Sequence, residues 1–143
     1  MNSTIVIFPG TNRERDMVMA VEQASGKKPN FVWYNDTSFP KTDLIIVPGG
    51  FSYGDYLRSG AMAARSPAMN SVLEYASKGV PILGVCNGFQ ILTEVGLLPG
   101  ALIRNKNLKF ICRNVSIKVE ADDSIFTSRY SKGQILSIPV AHN

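Results

Sequence analysis

Apolar residues in this chain come in short unbroken runs, separated by stretches in which apolar positions recur every three or four residues. Thr4-Ile5-Val6-Ile7-Phe8 is rich in β-branched residues and has no polar alternation, which predicts a strand covered on both faces. Phe31-Val32-Trp33-Tyr34, Leu44-Ile45-Ile46-Val47 and Val80-Pro81-Ile82-Leu83-Gly84-Val85 predict three more. Helix patterns lie between them. The first opens on Thr11 and Glu14 in capping-box spacing, places Met17, Ala20, Val21 and Ala24 on one face, and stops at Gly26. The second has Ser66 as its N-cap, Pro67 at its first position, a stripe of Met69, Val72, Leu73 and Ala76, and Gly79 at its exit. A third follows Cys86, with Phe89, Leu92 and Val95 as its inward positions. Strands alternating with helices call for right-handed parallel crossovers, so the expected fold is α/β with a doubly wound, mostly parallel sheet. After residue 108 the period changes. Val115, Ile117 and Val119 alternate with polar residues, and Gln134 to Ala141 reads as a further strand, which predicts an antiparallel extension. No repeat or linker-like tract divides the chain, and residues 1–143 are expected to form a single domain.

Composition narrows the function without choosing it. The 143 residues are 45% hydrophobic and 18% charged, enough to bury a core and unlike a disordered chain. The net charge of +4 is spread along the sequence, with no basic cluster interleaved with aromatics, so no nucleic-acid partner is expected. Apolar runs such as Ile5–Phe8 are far short of a membrane span, and the N-terminus lacks the pattern of a secretory signal. Cys86 and Cys112 are too few for a disulfide framework, which makes the cytoplasm the expected compartment. Neither lies in a Cys or His pair with ligand spacing, so no metal is expected. His142 is the single histidine.

The chemistry concentrates at Gly84-Val85-Cys86-Asn87-Gly88, a thiol between an apolar strand and a helix with a glycine two residues away on each side. This is the cysteine counterpart of the G-x-S-x-G elbow, in which a sharp turn lifts the nucleophile off the sheet edge. The flanking glycines let strand and helix approach without a Cβ clash. Unpaired N–H groups at the start of the helix favour negative charge on the nucleophile and on a substrate oxyanion. The alternative is a small buried apolar cysteine, as most intracellular cysteines are. Cys112 lacks the elbow context and is expected to be a packing residue. Pro48-Gly49-Gly50-Phe51-Ser52-Tyr53-Gly54-Asp55 has the glycine spacing of a phosphate loop. Asp55-Tyr56 stands where Lys and Ser or Thr would be needed, so nucleotide binding is not expected there. At a strand end it reads as half of an oxyanion hole or as a simple turn.

Gly84-Val85-Cys86-Asn87-Gly88-Phe89-Gln90 together with Pro48-Gly49-Gly50 resembles the class I, triad-type glutamine amidotransferases. More narrowly, Pro48 to Arg58, Ala64-Arg65-Ser66-Pro67 and Leu97-Leu98-Pro99-Gly100-Ala101-Leu102 resemble the glutaminase-subunit family of phosphoribosylformylglycinamidine synthase, an enzyme of purine biosynthesis. The resemblance runs from Phe8-Pro9-Gly10 to Pro139-Val140-Ala141-His142 and implies a flavodoxin-like sheet. It implies Cys86 as the nucleophile on glutamine, the backbone amides of Gly50 and Asn87 as oxyanion donors, and Gln90 and Phe51 as substrate contacts. It also implies a large synthetase subunit as partner, with a further small subunit. ATP and Mg are then expected on the synthetase, which turns the amide of formylglycinamide ribonucleotide into an amidine, and no cofactor is expected on this chain. Two departures follow. The family's catalytic His and Glu belong to a His-Pro-Glu-like string that this sequence does not contain, so the chain is expected to be a C-terminally incomplete amidotransferase domain lacking the last third of such a subunit. His142 matches a different family histidine, and Arg13 stands where many members of the family have cysteine.

Overall fold

The computed structural model describes residues 1–143, which form two compact units, Met1–Leu102 and Ile103–Asn143. The first holds β1 (Ser3–Ile7), α1 (Glu14–Ser25), β2 (Asn30–Trp33), β3 (Leu44–Val47), α2 (Pro67–Ser77), β4 (Ile82–Gly84) and α3 (Asn87–Glu94), with single 3-10 turns at Ser52–Asp55 and Ala63–Arg65. The four strands are parallel in the order β2-β1-β3-β4. Alternate residues of the unbroken apolar runs face opposite layers. Val6, Phe8, Val32, Ile45 and Val47 pack with Met69 and Val72 of α2 and Ile91 and Leu92 of α3. Ile5 and Ile46 pack with Val21, Met17 and Val18 of α1 on the other side. Helices cover both faces, so the sheet is doubly wound as expected. Each fully buried Ile, Val, Phe or Met adds roughly 1.5–3 kcal/mol.

Local departures from the sequence reading have identifiable causes. Thr11 is not the N-cap of α1. It forms an antiparallel bridge with Gly50, which holds it extended, and its hydroxyl accepts from the Phe8 N–H at 3.0 Å, so the helix starts at Glu14 without a side-chain cap. Its inward face turns with it: Val18 is half-buried, whereas Ala20 and Ala24 are exposed. Gly26 closes the helix in the left-handed conformation, as expected. Ser66 caps α2 through the Met69 N–H. The second strand runs one residue earlier than predicted and buries Val32 alone, with Phe31 and Trp33 about half exposed, because it is an edge strand. β4 is shorter than predicted and only half-buried for the same reason. Phe89 is exposed, and Gly88, Ile91 and Leu92 form the inward face of α3.

The second unit is an antiparallel ribbon of β5 (Ile111–Lys118) and β6 (Ile135–His142), in register from Ile111↔His142 to Lys118↔Ile135. Antiparallel pairing after residue 108 is as predicted, in a two-stranded sheet of its own. Ile111, Val115, Ile117, Leu136, Ile138 and Val140 share one face. Cys112 faces the other way with Asn114 and Ser116, and is exposed rather than the packing residue expected. No helix in either unit is long and apolar enough to cross a membrane.

Candidate active site

With the order β2-β1-β3-β4, the chain leaves β1 in one direction for β2 and returns past it to β3, which makes the β1/β3 carboxyl end the switch point where doubly wound sheets gather ligands. Two turns meet there. The Phe51 N–H donates to Gly10 O at 3.1 Å and the Asn12 N–H to Gly49 O at 3.3 Å, so Thr11 and Gly50 form the non-hydrogen-bonded pair of a two-residue ladder. In such a pair the N–H groups point away from the partner. The Gly50 N–H is thus turned away from Thr11 and donates to no protein acceptor. Gly50 has φ 147°, and a Cβ there would lie 2.6 Å from Gly10 O. Only glycine closes these turns together.

Cys86 flanks this turn. A Cβ on Gly49 would lie 3.3 Å from Cys86 Cβ. The cysteine is exposed, with φ 52° and ψ −112°, a conformation that residues with a side chain rarely adopt. The elbow glycines explain how it is held. A Cβ on Gly88 would sit 1.8 Å from Val47 O, and one on Gly84 would sit 2.8 Å from Gly88 O, so α3 starts in backbone contact with β3 and β4. Cys86 accepts the first intrahelical bond, from the Gln90 N–H, and the Asn87 N–H is left without an acceptor. Of four non-glycine residues with positive φ, three are Tyr53, Asp55 and Cys86 at these strand ends, so backbone strain gathers where the chemistry is placed. Cys86→Gly is expected to raise stability by about 1 kcal/mol by removing this strain. Thermal melting checks it, and an unchanged or lower melting temperature would contradict it.

The remaining expected residues are found as follows. Gln90 is half-buried on the first turn of α3, and its Oε1 accepts from Asn87 Nδ2 at 2.9 Å. Phe51 follows Gly50 with its ring half exposed. Sequence reasoning misses two residues of the site, Asp55 and Ser52. The Ser52 N–H donates to Asn87 Oδ1 at 3.0 Å, and Asn87 Nδ2 donates to Asp55 Oδ1 at 3.2 Å. The signal available is the i, i+3 spacing of Asn87 and Gln90, which puts two amides on one helix face. Burial pushes the Asp55 carboxyl above its ordinary value, while hydrogen bonds from Asn87, Gly60 and Ser59 pull it down. Arg58 forms a two-pronged bond to Glu94 at 3.0 and 2.8 Å, tying the loop to the end of α3 and holding the Glu94 carboxyl below its ordinary value. No three His, Cys, Asp or Glu side chains come together as a metal cluster. His142, on β6, is exposed, with its carbonyl accepting from Asn105 Nδ2.

The sequence profile of the CobB/CobQ-like glutamine amidotransferase domain matches residues 1–143. The chain belongs to that family. Among amidotransferase relatives, the phosphoribosylformylglycinamidine synthase subunit PurQ of Rhodopseudomonas palustris BisB18 is 60% identical over 143 residues, covering 99% of this chain and 61% of the relative. The protein of the same name from Rhodospirillum rubrum is 58% identical, covering 100% of this chain and 63% of its own length. A chain in a solved structure of PurLQS from Thermotoga maritima superposes with a TM-score of 0.89 at 45% identity, over 99% of this chain and 66% of that one. The sequence therefore spans just over three-fifths of the length of the curated relatives it matches.

Proposed function

We propose that this chain carries the nucleophile half of a glutaminase site, and that its protein supplies ammonia within a phosphoribosylformylglycinamidine synthase. The observation that carries the reading is the pairing of an exposed, strained Cys86 with two unengaged amides, one at Gly50 in the turn beside it and one at Asn87, the next residue. In this reading Cys86 Sγ bonds to the side-chain carbonyl carbon of glutamine. The carbonyl oxygen takes up the electron pair and is held by the two amides. Re-forming the C=O breaks the C–N bond, and the nitrogen leaves as ammonia carrying the thiol proton. Water then attacks the γ-glutamyl thioester, releasing glutamate and restoring the thiol. The base that moves these protons is, by family resemblance, a histidine of a string absent from this sequence, and Met1–Leu102 contains no histidine.

The ammonia acceptor in this reading is a large synthetase subunit that binds ATP, Mg and the ribonucleotide, with a further small subunit. The likeness to a chain of the PurLQS structure supports those partners. Both cysteines are free, and Cys86 must stay reduced to attack, which supports the cytoplasm as its compartment.

The test is covalent. A diazoketone analogue of glutamine, applied to the full-length gene product, is expected to label Cys86, with labelling suppressed by excess glutamine. Cys112 is also exposed to solvent but lies outside the elbow, so any labelling there is expected to ignore glutamine. Equal labelling of both thiols, indifferent to glutamine, would overturn the reading in favour of a non-catalytic docking module.

A further inference from the structure

The Asn87 side chain is a tightly held polar group at the strand ends, and the steps of the glutaminase reading give it no role. The residue is 2% exposed and its amide has three partners: Ser52 N–H, Asp55 Oδ1 and Gln90 Oε1. The two ends of an amide have nearly the same shape, so the partners must decide which end is which. A backbone N–H only donates, so the Asn87 atom facing Ser52 is the oxygen. The other end is then the NH₂ group, and the Asp55 carboxylate, an acceptor, agrees. An NH₂ group only donates, so the Gln90 atom 2.9 Å away is its oxygen. The NH₂ of Gln90 is thereby directed away from Asn87, and no protein acceptor takes it.

We propose that the Asn87 side chain, clamped between the Ser52 N–H and the Asp55 carboxylate, is a positioning residue that sets the polarity of Gln90, so that Gln90 meets the bound amino acid only as a hydrogen-bond donor to one of its oxygens. The inference rests on the glutaminase reading of the same site. Its second support is the cost of the clamp. Asp55 sits at φ 54°, and burial penalises its charge more than its hydrogen bonds relieve it. An asparagine would tolerate that backbone better and carry no charge to bury. A residue that costs stability at a ligand-gathering strand end fits selection for the site rather than for the fold.

Exchanging the two residues, Asp55→Asn with Asn87→Asp, tests this. In the exchanged protein the side chain at position 87 is a carboxylate. One of its oxygens still accepts from the Ser52 N–H, and the other accepts from the amide now at position 55. Gln90 then faces an acceptor, turns its NH₂ inward and presents oxygen outward. The clamp's hydrogen bonds are kept in number, so melting is expected within a few degrees of the original. The glutamine concentration that half-suppresses diazoketone labelling of Cys86 is expected to rise by about 10- to 100-fold. A merely structural clamp would be restored by the exchange, so suppression at the original glutamine concentration would overturn the proposal. If the unmodified protein shows no suppression by glutamine, the glutaminase reading itself has failed, and this inference with it. A second measurement needs no variant. In the unmodified protein both Asn87 side-chain amide protons are expected to exchange slowly by NMR. Those of Gln90 are expected to exchange fast until glutamine is added. Slow Gln90 protons beside fast Asn87 protons would also overturn the assignment.

Discussion

On the proposed glutaminase reading, replacing Cys86 by alanine is expected to abolish glutamine-dependent synthesis by the assembled synthase while leaving synthesis from added ammonia intact. Alanine keeps the Cβ that flanks Gly49, where an added Cβ would lie 3.3 Å from it, and it leaves φ and ψ at residue 86 as they are. The lost sulfur is exposed, so little packing goes with it. What disappears, on that reading, is the atom that bonds to the amide carbon. Removing the nucleophile from comparable acyl-transfer sites costs about 10⁴- to 10⁶-fold in rate, or about 5–8 kcal/mol of transition-state stabilisation. Ammonia bypasses that step because it enters the reaction after the C–N bond of glutamine has broken. Steady-state assays of the complex with each nitrogen source make the comparison. An equal fall with both would mean that Cys86 supports assembly and not chemistry.

The strand runs and the elbow are legible because each rests on local sequence. Leu44–Val47 is a strand of the same bounds in the structure, since an unbroken apolar run buried on both faces has no other low-energy placement in a doubly wound sheet. Gly84 and Gly88 around Cys86 read as room for close approach before any distance is known. Where sequence reasoning fails, a contact distant in sequence has intervened. Thr11 and Glu14 have the spacing of a capping box, yet Thr11 pairs with Gly50, 39 positions later, and cannot also start the helix. Ala20 looks inward on a helical wheel, but contact with Ile5 and Ile46 selects the larger Val18. Edge placement is equally hidden, since nothing in Phe31 or Trp33 says which strand has only one neighbour. The Asn87 clamp is beyond reach for the same reason. Ser52 and Asp55 lie 35 and 32 residues away, and only the fold brings them to the elbow.

Gly88→Ala is expected to be the most damaging single-methyl change in the first unit. Its Cβ would fall 1.8 Å from the carbonyl oxygen of Val47 and 3.1 Å from that of Pro48, both backbone atoms at the end of a central strand. No rotamer relieves a backbone clash, so either α3 lifts off β3 or the end of β3 moves and drags Gly49 and Gly50 with it. The first route uncovers Ile91 and Leu92, which are buried against the sheet, and the second breaks the ladder between Gly50 and Thr11. Overpacking of this kind costs about 3 kcal/mol, which for a unit of this size lowers the melting temperature by about 10–20 °C. Gly79→Ala is the control: φ there is +81°, but a Cβ would meet nothing within 4 Å, so only the strain of about 1 kcal/mol is expected. Both routes also displace the Cys86 turn, so diazoketone labelling of Cys86 should slow in Gly88→Ala and stay unchanged in Gly79→Ala. If the two variants melted and labelled alike, close contact between α3 and β3 would not be what holds the thiol in its strained conformation, and the link between the elbow glycines and reactivity would fail.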